Sequence, residues 1–189
     1  MTGLVRRGGR GTLPDGARLT WSVAEGGRGR RWRSVTVDAD GALRGVVLLE
    51  TGLDGRPDRL EVGSGDGLLT LHPGHDGEGL FGNVVTSNGI RHVAMPWSPR
   101  HELLVDDAPI VAMAAAGRLA KGIPVGAGRD LPVVRVGPML EIREEPWRYE
   151  RPGQGCWRLT GGERSVEIGI AADGLPDGLG EAETWPLER

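Results

Sequence analysis

From Leu19 onward, short apolar or alternating stretches recur along the chain and stop at Gly, Asp-Gly or Pro. Alternation with a period of two, interrupted by turn residues, is typical of β-strands whose two faces meet different environments. The pattern predicts strands at 18–24, 31–38, 42–50, 58–63, 67–72, 79–86, 90–97, 101–106, 131–137, 139–144, 155–160, 164–171 and 182–187.

Three pairs of turn residues connect neighbouring predicted strands. Asp40-Gly41, Asp54-Gly55 and Asn88-Gly89 each lie between two apolar runs. These pairs tolerate the positive φ that tight hairpins require. The sequence therefore predicts that most neighbouring strands pair as an antiparallel meander.

One segment, 108–121, has the pattern of a helix. Asp107 offers an N-cap, Pro109 fixes φ in the first turn, and Gly122 is a stop signal after a run rich in Ala and Met. Short strands with tight turns cannot each bury a face alone. We therefore expect an all-β fold with one short helix, in which a strongly curled antiparallel sheet or half-open barrel holds the helix against its concave face.

The first 17 residues show neither helical nor strand periodicity. They are rich in Arg and Gly, so we predict that residues 1–17 form a flexible arm and that residues 18–189 form a single all-β domain. The chain has 189 residues, of which 33 are Gly and 13 Pro, and this frequency of helix breakers excludes a long helical bundle.

Charge and cysteine content restrict the function and the compartment. The net charge of −3 argues against a protein that binds nucleic acid duplexes by neutralising phosphates. Cys156 is the one cysteine, so no intrachain disulfide can form, which fits a reducing compartment. No run of 18 apolar residues and no signal-peptide pattern is present, and we therefore expect a cytoplasmic protein without a membrane span.

Histidines provide one candidate for chemistry. All four lie between His72 and His101, and His72, His75 and Asp76 come close together in the sequence. Such a group could bind a metal or act in acid–base hydrolysis. The spacing does not match a structural zinc site, and Pro73-Gly74 between the two histidines equally indicates a turn with solvated imidazoles.

Tryptophan and arginine stand side by side three times, at Arg31-Trp32-Arg33, at Trp147-Arg148-Tyr149 and at Trp157-Arg158. Neighbours in a strand point to opposite faces, so one face can present rings while the other presents guanidinium groups. If the rings face a concavity, they suit an acyl chain or a sugar ring. The candidate ligand-binding residues are Trp147, Tyr149, Trp157, Trp32 and Arg148. The alternative is that the rings fill a core that has few other aromatic residues.

The second half of the chain resembles a family of glycolipid-binding proteins. The resemblance is carried by Asp107-Ala-Pro-Ile, the stretch 131–142 ending in Pro138-Met-Leu-Glu-Ile142, the pair Trp147 and Tyr149, and the segment from Val166 to Trp185. It implies a curled all-β fold described as a spiral β-roll and compared with lipoprotein carriers. The Thr and Asn that such proteins have near the start of this region are absent here, where the chain has Asp107-Ala-Pro-Ile-Val-Ala-Met.

These observations lead to one functional hypothesis and two alternatives. The first is binding, without catalysis or a cofactor, of a lipid-like or glycolipid-like amphiphile in the cavity of a curled sheet. The second is a metal-assisted or acid–base hydrolase that uses His72 and His75. The third is a protein-interaction module whose edge strands pair with a partner. The sequence specifies neither the ligand nor the oligomeric state.

Overall fold

A computed structural model describes residues 5–74, 77–177 and 181–186. Within these ranges the chain forms fifteen strands and one α-helix. The strands are β1 (Val5–Thr12), β2 (Arg18–Gly26), β3 (Gly29–Val37), β4 (Leu43–Thr51), β5 (Pro57–Ser64), β6 (Gly67–Pro73), β7 (Gly79–Thr86), β8 (Gly89–Pro96), β9 (Glu102–Val105), β10 (Gly128–Val136), β11 (Ile142–Gly153), β12 (Cys156–Gly161), β13 (Arg164–Ile170), β14 (Pro176–Asp177) and β15 (Glu181–Pro186). The helix, α1 (Pro109–Leu119), lies between β9 and β10 in the chain.

The larger sheet, sheet A, has nine antiparallel strands in the order β15-β1-β2-β3-β4-β5-β6-β7-β8. Consecutive strands from β1 to β8 are neighbours, which confirms the predicted meander. Gly41, Gly55 and Gly89 have φ values of 88°, 80° and 117°, as the three predicted turns require. Alternate residues of β2, namely Leu19, Trp21 and Val23, are buried on the inner face of the sheet.

The smaller sheet, sheet B, is a strongly curled half-barrel with the order β14-β13-β12-β11-β10-β9. Its strands are antiparallel except for β9 and β10, which run parallel. Parallel neighbours need a crossover connection, and α1 provides it. The predominance of strands, the curled sheet and the single short helix of this part of the chain confirm the predicted fold class. None of the residues described forms a helix long and apolar enough to cross a bilayer.

Helix α1 lies between the two sheets and is buried on both sides. Ile110, Val111 and Ala114 pack in a core formed largely by sheet A. Met113 and Ala116 pack in a second core that is formed with sheet B. The helix contacts β9 and β13 of sheet B as well as β3 of sheet A. It therefore fills the space between the sheets instead of resting on one of them.

The two ends of the helix differ in how well the sequence predicts them. Pro109 is the first helical residue and the Gly122 amide donates a hydrogen bond to the Leu119 carbonyl oxygen at 2.9 Å, as expected for the start and stop signals. The prediction that Asp107 caps the helix is wrong. Ala108 occupies the N-cap without a side-chain hydrogen bond, and Asp107 has a φ of 58°.

Two predicted segments differ from the structure. Part of the predicted flexible arm, Val5–Thr12, is strand β1, because its backbone pairs with β2 on one side and β15 on the other. Such pairing leaves no trace in the side-chain pattern of an Arg- and Gly-rich segment. The predicted strand 139–144 is also wrong at its start. A turn that the Gly137 amide closes on the Glu141 carbonyl oxygen occupies it, with Leu140 buried at a φ of 59°.

Trp147 on β11 lies at the centre of the sheet B core, with only 1% of its surface exposed. Its indole N–H donates a hydrogen bond to Glu145 Oε1 at 2.8 Å. Gly161 lies directly against the ring, since a Cβ added there would be 2.4 Å from ring atoms. The ring therefore fits a space that β12 keeps open by having no side chain at this point.

Replacing Trp147 by alanine should destabilise the fold by about 3–5 kcal/mol, because the substitution leaves a large cavity in a closed core. For a chain of this size, we expect the thermal midpoint to fall by roughly 10 °C in calorimetry. The matched control is Arg148→Ala, one residue along and on the exposed face, which should melt close to the original chain. Equal midpoints for the two variants would contradict the assignment of Trp147 to the core.

Asp106, directly after β9, ties three parts of sheet B together. It accepts hydrogen bonds from Arg135 Nε at 2.8 Å and from Arg164 Nη1 at 2.8 Å, and Arg135 forms a second bond to it. Burial raises the pKa of this carboxyl group, but the hydrogen bonds from Arg135 and Arg164 outweigh that effect. The pKa of Asp106 therefore lies below its ordinary value.

Ionised Asp106 should stabilise the fold above about pH 4, and this contribution should disappear as the pH falls through the lowered pKa of the folded state. We expect Asp106→Asn to reduce the free energy of unfolding at pH 7 and the difference from the original chain to shrink as the pH falls below the lowered pKa of Asp106. Urea denaturation across this pH range measures the difference. The control is Asp66→Asn in an exposed turn. If the free energy of unfolding lost in Asp106→Asn does not change with pH, the proposed role of the Asp106 charge is wrong.

Candidate functional site

A cavity of about 600 Å³ opens between the two sheets, beside the C-terminal half of α1. The β2–β3 and β4–β5 hairpins form one side of it, and the β11–β12 turn and the residues after β13 form the other side. Gly117 and Ala120 of the helix region line its inner end with very small side chains. The space therefore exists because small residues stand where α1 passes between the sheets.

Two of the predicted ligand-binding residues, Trp32 and Trp157, line this cavity. Each has only 2% of its surface exposed, so the rings form part of the wall and do not project into the space. The indole N–H of Trp32 donates to Thr51 Oγ1 at 3.4 Å. The guanidinium of Arg151 lies over the Trp157 ring, 5.8 Å from its centroid. Both rings are thus held in place by neighbouring polar groups.

The other predicted ligand-binding residues lie elsewhere. Trp147 and Tyr149 are buried in the sheet B core together with Trp157, and neither lines the cavity. Arg148 projects from the opposite face of β11, where it pairs with Glu150 at 2.9 Å and with Asp130 at 3.3 Å. Rings and guanidinium groups therefore alternate across the two faces of β11, as expected. Of the three buried rings Trp147, Tyr149 and Trp157, only Trp157 reaches the cavity.

Two arginine side chains at the cavity already form ion pairs or hydrogen bonds within the protein. Arg30 pairs with Glu25 at 2.9 Å and donates to the Asp173 carbonyl oxygen at 3.0 Å. Arg151 donates to the carbonyl oxygens of Ala120 and Ile123 at 3.0 and 3.1 Å, and so caps the C-terminal end of the helix. These bonds fix the walls of the cavity and orient the guanidinium groups.

Two exposed charges at the cavity, those of Lys121 and Asp177, form no ion pair with any residue that the structure describes. Asp54 pairs with Arg56 at 3.1 Å, and Asp173 with Arg7 at 3.4 Å, and all four side chains are partly exposed. A molecule that enters the cavity therefore meets both hydrogen-bond donors and hydrogen-bond acceptors, in similar numbers.

A buried ion pair lies behind the cavity. Glu102, the first residue of β9, is 1% exposed and pairs with Arg118 from the last turn of α1. Burial lowers the pKa of Arg118, and the nearby charge of Arg56 lowers it further. Burial also raises the pKa of Tyr149, whose hydroxyl group makes no hydrogen bond and lies near Arg118. The Glu102 carboxylate offsets the cost of placing this guanidinium between the sheets.

Sequence reasoning missed Glu102 and Arg118. The sequence nevertheless contained a sign of a buried ion pair. Arg118 is the one charged residue in the apolar run of α1, and Glu102 is the first residue of the fully buried strand β9. A charge at a buried position requires a partner of opposite sign. Which carboxylate the arginine meets depends on the parallel pairing of β9 with β10, and no local pattern encodes that pairing.

The histidine cluster is only partly covered by the structure. His72 is exposed on β6, with its ring 6.4 Å from that of Phe81. His75 and Asp76 lie outside the described residues. Among residues 5–74, 77–177 and 181–186, no group of three His, Cys, Asp or Glu side chains is placed to hold a metal ion. The metal-assisted hydrolase thus stays a prediction from the sequence.

Comparisons with known proteins identify no family for the chain. No protein-family profile matches it, and no curated protein matches it. A crystal structure of a DUF1089 family protein from Pseudomonas aeruginosa is similar to it, with 20% sequence identity and a TM-score of 0.44. That alignment covers 92% of this chain and 90% of the other.

Proposed function

We propose that the protein binds, without catalysis, an amphiphile that carries a sugar-like head group, and that the head group occupies the cavity between the sheets. The observation that carries the proposal is a preformed space of about 600 Å³ lined by tryptophan together with charged groups of both signs. This volume is within the range of typical small-molecule sites.

The mixture of charges favours a head group with many hydroxyls. Each hydroxyl both donates and accepts hydrogen bonds, so it can use a carboxylate such as Asp177 and a cation such as Lys121. A simple anion would be repelled by the carboxylates of Asp54, Asp173 and Asp177. A fatty acid alone would leave most of these groups desolvated and unpaired. A sugar satisfies both kinds of charge.

An apolar contact is available at the rim. Leu53, in the β4–β5 hairpin, lines the cavity and is 78% exposed. Ala171 and Ala172 lie on the other side of the cavity among its lining residues. An alkyl chain attached to a bound head group would contact these side chains on leaving the site. The cavity itself lacks the wholly apolar lining that would enclose a long chain, so most of the alkyl chain would remain outside.

The test uses dodecyl maltoside below its critical micelle concentration as the probe, with binding measured by calorimetry. We expect Ala172→Trp, which places a large ring at the cavity, to weaken binding at least tenfold. The matched control is Ala94→Trp on β8, another exposed alanine, which lies on sheet A outside the cavity lining and should bind like the original chain. Both variants should keep the original thermal midpoint.

Two further probes separate the parts of the amphiphile. Maltose should bind more weakly than dodecyl maltoside, because it lacks the contact with Leu53, and dodecylphosphocholine should bind more weakly because it lacks the sugar. Dodecylphosphocholine binding as tightly as the maltoside would contradict a site for sugars. If Ala172→Trp and Ala94→Trp lose the same affinity for dodecyl maltoside, the binding site does not lie in the larger cavity. Native mass spectrometry of freshly purified protein would detect an amphiphile retained from the cell.

A further inference from the structure

A second, smaller cavity of about 180 Å³ lies on the other side of Arg118. Arg118 and Asp54 line both cavities. The loop between β8 and β9 contributes Trp97, Ser98 and His101 to the smaller one. This loop brings a hydroxyl group and an imidazole together in a space that a small molecule can enter.

The hydrogen bonds of this loop determine which tautomer the neutral His101 ring adopts. Ser98 Oγ lies 2.9 Å from His101 Nδ1, and the Ser98 backbone amide donates to the same nitrogen at 3.0 Å. Because the amide can only donate, Nδ1 carries the lone pair and the proton of the neutral ring is on Nε2. The Ser98 hydroxyl therefore also points its hydrogen at Nδ1.

The other side of the imidazole faces a carboxylate. His101 Nε2 is buried and makes no hydrogen bond with any residue that the structure describes, and Glu144 Oε1 of β11 lies 3.4 Å from it as a charge contact. The Trp97 ring stacks on the imidazole with a centroid distance of 5.2 Å. A carboxylate and an indole face both stabilise an imidazolium ion, so both favour transfer of a proton from Ser98 to His101.

We propose that Ser98 is a nucleophile for short acyl esters, with His101 as its general base and Glu144 as a positioning residue that orients the imidazole. A hydroxyl within hydrogen-bond reach of a base that has a carboxylate on its other side is the arrangement that activates serine in acyl transfer. Arg56 and Arg118 line the same cavity, where they pair with Asp54 and Glu102, and their remaining N–H groups can donate hydrogen bonds to the oxyanion that forms. The proposal is independent of the sugar site.

The reaction balances without a cofactor. Ser98 Oγ attacks the ester carbonyl carbon and its proton moves to His101 Nδ1, which releases its bond to the Ser98 amide. The carbon–oxygen bond to the alcohol breaks, and the alcohol leaves with the proton from Nδ1. Water then attacks the acyl-serine with His101 as base, and the acid and free Ser98 are released. The cavity volume restricts the acyl group to a few carbons.

The test is covalent labelling of the full chain by diisopropyl fluorophosphate, with the labelled peptide identified by mass spectrometry. We expect label on Ser98, no label at that position in Ser98→Ala, and a labelling rate at least a hundredfold lower in His101→Gln. Ser64→Ala is the matched control, because Ser64 Oγ accepts a hydrogen bond from the Asp66 amide at 3.2 Å, as Ser98 Oγ does from the Arg100 amide at 3.3 Å, but has no histidine beside it. It should be labelled at Ser98 like the original chain.

A conservative variant distinguishes positioning by Glu144 from a structural role. Glu144→Gln removes the charge that faces the imidazole and should lower the labelling rate about tenfold, whereas Glu144→Asp keeps the charge and should recover most of that loss. The other charged groups of the cavity, Asp54, Arg56, Asp58 and Arg118, are unchanged in these variants. Absence of label on the folded original chain, or equal labelling rates in His101→Gln and Ser64→Ala, would overturn the proposal and leave these bonds as turn contacts only.

Discussion

The whole arrangement depends on passing a helix between two sheets that both pack on it. This requires side chains small enough for the sheets to approach, and α1 provides them with alanines on both of its buried sides. Gly117 shows how close the approach is, since a Cβ there would lie 3.0 Å from the Gly174 carbonyl oxygen. The same small residues leave the space of the larger cavity, because no side chain of the helix fills it.

A second constraint follows from the charge that the helix carries into this space. Arg118 separates the two cavities, and its guanidinium group is balanced by Glu102 from the neighbouring strand β9. Loss of one partner from a buried pair leaves an uncompensated charge, which generally costs about 3–5 kcal/mol. The wall between the cavities therefore contains a buried ion pair, and Tyr149 of the sheet B core lies close to its cation.

Local patterns in the sequence were sufficient to predict the hairpins and the helix. The turn glycines at 41, 55 and 89 and the stop at Gly122 act through backbone geometry within a few residues, and such effects are readable without knowing the fold. Strand β1 was missed because pairing on both of its edges stabilises it, and the partner β15 lies at the far end of the chain.

The site was predicted less well than the fold, for a related reason. Periodicity shows that Trp147 and Tyr149 share a face, but it does not show whether that face meets a core or a cavity. Whether this face meets a core or a cavity depends on where α1 crosses sheet B, which only the tertiary structure determines. Trp157 belongs to the same core and reaches the cavity only because the β11–β12 turn ends there.

The pairing of β1 with β15 has a consequence for synthesis on the ribosome. Strands β1 to β8 form a series of local hairpins, and contacts of this kind form early. Strand β15 joins the same sheet only after all of sheet B has been made. During translation, the edge of β1 therefore stays unpaired while more than half of the chain is added, and an unpaired strand edge can pair with the wrong partner.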